Sequence, residues 1–235
     1  MDSLLHCGEI LKARRKFPRK LYLYFLYFLP AFLYPTINQN GDFQIWDRVF
    51  LEKPITEKWK FLTVIEQRWG DNATKLFFTY IQPQIAYIPA EWVIIAPGYR
   101  QVYQRYPVAS NHWRPQYSPL IDVQFRVGFA GWKIEDRNRV QYRILKGDPS
   151  HWLYRNRFRI TTPDFLQKPK MCFFTDNEVF WYQITGISED RFSTGFMMHI
   201  YGNIAGDLFY MARFQKLGSE WIHQNILNIS LLFAF

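Results

Sequence analysis

Residues 152–160 read WLYRNRFRI, and their side chains alternate in chemical character. In a β-strand, successive side chains point to opposite faces. Arg155, Arg157 and Arg159 therefore share one face of this strand, and the remaining side chains share the other. Three neighbouring cations repel one another unless an anionic group lies against them. The stretch predicts a strand whose arginine face contacts an anionic partner.

The positive charge of the chain is concentrated around this strand. The 235 residues carry a formal net charge of +9, with a sequence pI of about 9.5. Residues 100–160 hold twelve Lys/Arg against four Asp/Glu, whereas residues 41–99 hold six against seven and residues 161–235 hold five against seven. Arginine outnumbers lysine in this block, and arginine is well suited to binding phosphate. The distribution favours nucleic acid, anionic lipid or an acidic protein as the partner.

Aromatic residues make up 20% of the chain, which argues against disorder and predicts a sizeable core or an aromatic partner surface. Only two cysteines are present, Cys7 and Cys172, so the sequence indicates neither a disulfide framework nor a zinc pattern. A single bridge between them stays open, and a reducing compartment is the simpler interpretation.

A basic run precedes an apolar run near the start of the chain. Residues 12–20 read KARRKFPRK, and residues 21–35 read LYLYFLYFLPAFLYP. Fifteen helical residues span about 22 Å, less than the roughly 30 Å of bilayer hydrocarbon. The following residues offer no small-x-small cleavage site. Three interpretations stay open: an apolar segment docked on the fold or on a neighbouring subunit, a membrane anchor, and a cleaved leader.

The fold class that these patterns indicate is α+β, with helices, short antiparallel strands and extended segments that wrap a partner. Helices are predicted for residues 57–69, 132–146 and 220–235, strands for 155–162, 171–174 and 178–187, and a wrapping segment for 97–119. Four regions are expected: a basic and apolar N-terminal segment (1–40), an aromatic-rich α+β region (41–119), a basic RNA-binding-like module (120–174), and C-terminal strands with an amphipathic helix (175–235).

The predicted helix over residues 132–146 carries cations at helical spacing. Lys133 and Arg137 are four residues apart, and so are Arg139 and Arg143. Side chains at this spacing lie on one face of a helix. A basic helix beside the arginine strand fits a phosphate backbone, and nearby aromatic side chains are suited to stacking on unpaired bases.

Residues 122–140, DVQFRVGFAGWKIEDRNRV, resemble the alpha-L RNA-binding module of the small-subunit ribosomal protein S-four family. The residues that match the motif by relative spacing are Arg126, Gly128, Phe129, Ala130, Glu135, Arg137 and Val140. Residues 160–174, ITTPDFLQKPKMCFF, are similar to the closing strand and lysine-containing turn of the module. The resemblance implies binding to folded ribosomal RNA within an assembled subunit, and it carries over Arg126, Lys133 and Arg137 as RNA-binding residues.

Motifs of catalysis are missing from the sequence. It contains no Walker loop, no Gly-x-Gly-x-x-Gly, no Gly-x-Ser-x-Gly and no His-Glu-x-x-His. The five histidines are scattered, and the acidic pairs at 135–136 and 189–190 are adjacent residues whose side chains diverge. We therefore expect a protein that is not an enzyme and that holds no cofactor and no metal.

The predicted function is that of a structural, RNA-binding subunit of a large assembly, namely a divergent mitochondrial small-subunit ribosomal protein. Its partners would be ribosomal RNA and neighbouring ribosomal proteins, and it would not act as a free monomer. The predicted RNA-binding residues are Arg126, Lys133, Arg137, Arg139, Arg143, Arg155, Arg157 and Arg159. The alternative is an accessory subunit of a mitochondrial membrane complex, such as a respiratory complex or ATP synthase, that contacts lipid and is anchored by residues 21–35.

Overall fold

The computed structural model describes residues 39–105, 111–167 and 169–235, and every regular element in these ranges is a β-strand. Each long strand alternates between side chains that face inward and side chains that face outward. The strands are β1 (Phe43–Pro54), β2 (Trp59–Gly70), β3 (Lys75–Ala90), β4 (Val93–Arg105), β5 (Trp113–Phe129), β6 (Trp132–Leu145), β7 (His151–Thr161), β8 (Leu166–Gln167), β9 (Lys170–Tyr182), β10 (Gly186–Tyr201), β11 (Ile204–Leu217) and β12 (Glu220–Ala234).

Eleven of the strands described above close into a barrel. Each pairs with its neighbours in chain order, and the ring closes because β9 pairs with both β7 and β10 while β12 pairs with β1. The two-residue β8 pairs with β9 alone and stays outside the ring. An odd number of strands cannot close with antiparallel neighbours throughout. The one parallel pair among these strands is β1 with β12, in register from Phe43 opposite Asn225 to Glu52 opposite Ala234.

Short turns join the strands at both ends of the barrel. The upper rim carries the turns after β1, β3, β5 and β10, and the lower rim carries those after β2, β6, β9 and β11. The β5–β6 turn consists of Ala130 and Gly131 alone, with φ of 49° and 82°. Two consecutive positive φ angles are the mark of the tight hairpin turn that matches the twist of the strands.

The polarity of this barrel is inverted relative to that of a soluble protein. Across the described ranges, 31 buried residues are polar or charged and only 21 are hydrophobic. In the same ranges, 36 large hydrophobic side chains are exposed. A soluble monomer rarely exposes a contiguous apolar surface of more than a few hundred Å². The inside of this barrel is therefore polar and its outer wall is apolar.

The expectation of an α+β fold is wrong, because every element described is a strand. The three predicted helices at residues 57–69, 132–146 and 220–235 are replaced, over all but one or two residues each, by β2, β6 and β12. Of residues 97–119, predicted as a wrapping segment, 97–105 lie in β4 and 113–119 in β5, so they form barrel wall. The expected region boundaries after residues 119 and 174 fall inside β5 and β9.

The N-terminal segment 1–40, including the apolar run 21–35 considered as an anchor, lies almost entirely outside the described residues. Among the residues that the structure does describe, no helical segment has the length and hydropathy required to cross a bilayer.

Candidate functional site in the barrel lumen

The arginine face of β7 points into the barrel, where it meets carboxylates of the neighbouring strand β9. Arg159 donates to Asp176 Oδ2 from Nε at 2.8 Å and from Nη2 at 2.5 Å. Arg155 Nη2 donates to Glu178 Oε1 at 2.8 Å. Arg157 lies opposite Glu178 in the register of the two strands. The anionic partner that the sequence requires is therefore supplied by the same chain.

Glu178 binds arginines from three strands. Besides Arg155 it accepts from Arg137 Nη2 on β6 at 2.6 Å, and Arg191 Nη1 on β10 lies 3.5 Å from its Oε2. Arg191 also donates to Glu189 at 2.6 Å, and Glu189 accepts two hydrogen bonds from Arg213, at 2.8 and 2.9 Å. One continuous charged network thus ties β6, β7, β9, β10 and β11 across the lumen.

Two further carboxylates anchor the opposite side of the lumen. Asp122 on β5 accepts from Arg139 Nε at 2.5 Å and from its Nη2 at 2.6 Å, a bidentate pair. Glu66 on β2 accepts from Arg68 at 2.6 Å and from Arg48 at 2.5 Å. Bidentate and charge-assisted hydrogen bonds are the strongest that side chains form, and they offset part of the cost of removing these ions from water.

Aromatic rings share the lumen with the arginines. Trp46 is fully buried among Phe174, Phe209 and other apolar side chains from β9 to β12. The guanidinium carbon of Arg68 lies 3.6 Å from the centre of the Trp46 ring, and that of Arg191 lies 4.9 Å away. Cation–π contacts of this kind stabilise a cation that has lost water. Among the described residues, stacked cationic and aromatic side chains therefore occupy much of the lumen.

Cavities remain between these side chains, and two of them lie one above the other. The upper cavity has a volume of about 140 Å³ and is lined, among described residues, by nine arginines and seven carboxylates. The lower cavity has a volume of about 320 Å³, and its described lining holds seven arginines with Glu189 as the one carboxylate. Charge is thus nearly balanced in the upper cavity and strongly positive in the lower one.

The tryptophans mark the two ends of the outer wall. Three lie at the upper rim (Trp59, Trp92, Trp132) and five at the lower rim (Trp69, Trp113, Trp152, Trp181, Trp221). Six of these eight side chains are exposed. The ninth tryptophan is Trp46 in the lumen.

One polar cluster interrupts the apolar outer wall on β6 and β7. Asp136 accepts hydrogen bonds from Asn156 at 2.6 Å and from Asn138 at 3.0 Å. The hydroxyl of Tyr154 donates to Asn138 Oδ1 at 2.5 Å. These side chains satisfy one another, which lowers the cost of placing them in apolar surroundings.

The predicted site residues separate into two groups. Six of them point into the lumen, where they line one or both of the two cavities: Arg137, Arg139, Arg143, Arg155, Arg157 and Arg159. The other two lie near the upper rim, where Arg126 Nε donates to the backbone carbonyl of Glu91 at 2.5 Å and Lys133 lies in the second position of β6. The structure thus brings most of the predicted cations together, but inside the barrel.

Sequence reasoning missed the carboxylates and glutamines that complete this site. The missed carboxylates are Glu66, Asp122, Asp176, Glu178 and Glu189. The sequence does contain a usable signal, because charged residues recur at a spacing of two. The pairs are Asp176 and Glu178, Glu66 and Arg68, and Glu189 and Arg191. Charges at a spacing of two share one face of a strand. Such a pattern inside an aromatic-rich segment is typical of a barrel with a polar interior.

The resemblance to the S-four RNA-binding module is wrong, and so is the ribosomal, RNA-binding function built on it. The matching residues Arg126, Gly128, Phe129 and Ala130 form the end of β5 and its turn into β6, and no helix follows them. Six of the eight cations assigned to RNA line the barrel lumen, and four of these six form ion pairs with carboxylates of the same chain: Arg137, Arg139, Arg155 and Arg159. The predicted partners, ribosomal RNA and ribosomal proteins, are wrong with it. The mitochondrial location is also wrong, and with it the alternative of an accessory subunit of a mitochondrial membrane complex.

Metal and cofactor binding were not expected from the sequence. Over the described ranges, no group of three or more His, Cys, Asp or Glu side chains is arranged to hold a metal ion. The expectation that the chain is not an enzyme stays a prediction.

Comparisons with known proteins identify the family of the chain. No curated protein matches it. A solved structure of similar shape is LpxR from Salmonella typhimurium, with a TM-score of 0.48, 10% sequence identity, and coverage of 78% of this chain and 86% of the other. The family described as "Protein of unknown function (DUF2490)" matches residues 43–224, from the first residue of β1 into β12. The chain belongs to the DUF2490 family.

Proposed function

We propose that this protein is an integral β-barrel of a bacterial outer membrane, with a lumen occluded by its own charged side chains. The observation that carries the proposal is the inverted polarity of the described barrel, in which buried polar residues outnumber buried hydrophobic ones by 31 to 21. A closed barrel satisfies all of its backbone hydrogen bonds within the sheet, so it can cross a bilayer with strands. Barrels of this type belong to outer membranes and alternate apolar side chains outward with polar ones inward.

The positions of the tryptophans support the proposal quantitatively. Trp59 and Trp69 occupy opposite ends of β2 and are ten residues apart. At about 3.3 Å per residue this separation is roughly 33 Å along the strand. A strand tilt of 35–45° reduces it to about 23–27 Å along the barrel axis, which matches the apolar band of about 25 Å in outer-membrane barrels. Aromatic girdles at both edges of such a band are the expected anchors at the lipid–water interface.

The filled lumen supports a role other than passive diffusion. Barrels of 16–18 strands leave an aqueous channel, whereas barrels of about eight strands are filled by side chains. Within the eleven strands of the barrel, the two cavities of about 140 and 320 Å³ are separated by side chains, because Arg68, Arg100, Arg155 and Arg191 line both and so lie between them. We infer that the protein presents a closed, rigid barrel in the membrane and does not act as a general pore.

Two measurements on the full chain test this proposal. The protein is expressed in a Gram-negative host, its inner and outer membranes are separated, and its migration in unheated detergent gels is compared with that of boiled samples. We expect it in the outer-membrane fraction with a heat-dependent shift, because a folded barrel resists the detergent. The purified protein is then inserted into vesicles loaded with a small fluorescent dye, with a general porin as the positive control.

We expect no dye release from these vesicles. Recovery of the protein in the soluble fraction without a heat-dependent shift would overturn the membrane location. Dye release at the rate of the porin control would instead overturn the occluded lumen while leaving the location intact.

A further inference from the structure

The lower cavity carries a positive charge that the described residues of its lining compensate only in part. We propose that it binds a small hydroxylated anion, of the class of a sugar phosphate or glycerol phosphate, which enters from the lower rim. The described residues lining the cavity comprise seven arginines and one carboxylate. The proposal goes beyond the membrane location and does not depend on it, since the site lies within the barrel.

Two of these arginines are held by neutral groups. Arg100 Nε donates to Gln82 Oε1 at 2.7 Å and its guanidinium lies 4.1 Å from the centre of the Tyr80 ring. Arg143 Nη2 donates to Gln116 Oε1 at 2.6 Å. Neither makes an ion pair with any carboxylate in the described part of the chain. Two cations held in place by amide oxygens keep their charge available for a phosphate or carboxylate group.

The paired arginines of the cavity share too few carboxylates to be neutralised. Arg191 and Arg213 both bind Glu189, and Arg155 binds Glu178 together with Arg137. Each carboxylate carries one negative charge against two or more guanidinium groups. A bound anion would restore the balance in a region where water screens charges weakly.

Unsatisfied polar atoms in the same cavity indicate the rest of the ligand. The buried Nε atoms of Arg143 and Arg155 have no hydrogen-bond partner among the described residues. The buried amide oxygens of Gln141 and Gln215 likewise accept no hydrogen bond from the residues described. Unpaired donors require an acceptor such as a phosphate oxygen, and unpaired amide acceptors require a donor such as a hydroxyl. A phosphate monoester on a hydroxylated body supplies both.

The size and position of the cavity agree with this class of ligand. Its volume of about 320 Å³ lies at the small end of the range typical of small-molecule sites. The lining extends to the lower rim, because Arg105 and Leu217, the last residues of β4 and β11, belong to it. Phe77, Phe180 and Tyr182 give the wall an apolar side against which a sugar ring can pack.

A calorimetric titration of the folded full-length protein in detergent, in a buffer free of phosphate, tests the proposal. The probes are glucose 6-phosphate, glycerol 3-phosphate, inorganic phosphate and glucose. We expect saturable binding of the two organic phosphates, weaker binding of inorganic phosphate and none of glucose. Raising the salt concentration should weaken the binding of the phosphates.

A matched pair of variants locates the site. Arg143 lines only the lower cavity and Arg157 lines only the upper one, and neither forms an ion pair with a described carboxylate. Arg143→Met should weaken the binding of glucose 6-phosphate at least about tenfold. Arg157→Met should change the affinity for glucose 6-phosphate by no more than about twofold, because the charge it removes does not touch the ligand.

The heat-dependent gel shift confirms that each variant is folded, so a failure to bind is not confused with a failure to form the barrel. Absence of binding by a folded wild-type protein overturns the site while leaving the proposed membrane location untouched. A larger loss with Arg157→Met than with Arg143→Met overturns the lower cavity as its position. Inorganic phosphate binding as tightly as glucose 6-phosphate overturns the hydroxylated ligand class.

Discussion

Glu178→Gln should be among the most destabilising isosteric changes in this barrel. Glu178 is 5% exposed and binds Arg137 at 2.6 Å, Arg155 at 2.8 Å and Arg191 at 3.5 Å. Glutamine keeps the shape and one acceptor but removes the charge, so three enclosed guanidinium groups lose their shared counterion. Removing one partner of a buried ion pair costs about 3–5 kcal/mol. Because the amide oxygen retains one hydrogen bond, we expect the free energy of unfolding to fall by about 3 kcal/mol. This is a change of roughly 100-fold in the folded-to-unfolded ratio.

The assay is urea unfolding of the protein in lipid vesicles, followed by tryptophan fluorescence. The matched control is Asp148→Asn, which removes the carboxylate of an exposed pair with Arg114 at 3.2 Å. The side chains of that pair are 34% and 41% exposed, so its loss should cost less than about 1 kcal/mol. If Glu178→Gln costs no more than Asp148→Asn, the lumen network does not hold the barrel together and this reasoning is refuted.

Two other substitutions test the close approach of β10 and β11 and the contact of the outer wall with lipid. A methyl group added at Gly195 would lie 2.3 Å from the Leu208 carbonyl oxygen and from Phe209 Cβ, so Gly195→Ala should cost about 1–3 kcal/mol. Gly128→Ala, whose nearest neighbour would be at 3.6 Å, is its control, and equal unfolding midpoints would contradict the close strand approach. Ile229→Arg, on the outer face of β12, should cost about 2–4 kcal/mol in vesicles. Ile184→Arg in the β9–β10 turn should cost about 1 kcal/mol or less, and equal costs would place Ile229 outside the bilayer.

The sequence predicted the strand β7 and its arginine face, but not the carboxylates that this face contacts. The alternation in residues 152–160 correctly places Arg155, Arg157 and Arg159 on one face of β7. The basic block 100–160 holds only four acidic residues, which pointed to an anion from outside the chain. Two of the missing carboxylates, Asp176 and Glu178, arrive from β9, in a segment whose own net charge is negative. The charge balance of one segment cannot reveal ion pairs with carboxylates of another segment, because those pairs form only when the barrel folds.

The helices were predicted from a spacing that strands also produce. Lys133 and Arg137 share a helix face, and so do Arg139 and Arg143, but residues two and four apart also share a strand face. Positions 133, 135, 137, 139, 141 and 143 are Lys, Glu, Arg, Arg, Gln and Arg, a continuous polar face at period two. The intervening positions are partly apolar, and Asp136 and Asn138 among them obscured the alternation. Alternation over only about ten residues is a weak signal for each strand taken alone.

The most direct test of the membrane barrel is an accessibility scan along β12. Single cysteines are placed at positions 226 to 231 in a background carrying Cys7→Ala and Cys172→Ala, spin-labelled, and measured in vesicles with oxygen and with a water-soluble nickel complex. In β12, Ile226, Asn228 and Ser230 are buried in the lumen, while Ile229 and Leu231 are exposed on the outer wall. We predict oxygen accessibility that peaks at 227, 229 and 231 with little exposure to nickel there. High nickel accessibility at those outward positions would show that water surrounds the barrel, and the account of a membrane-spanning protein would be wrong.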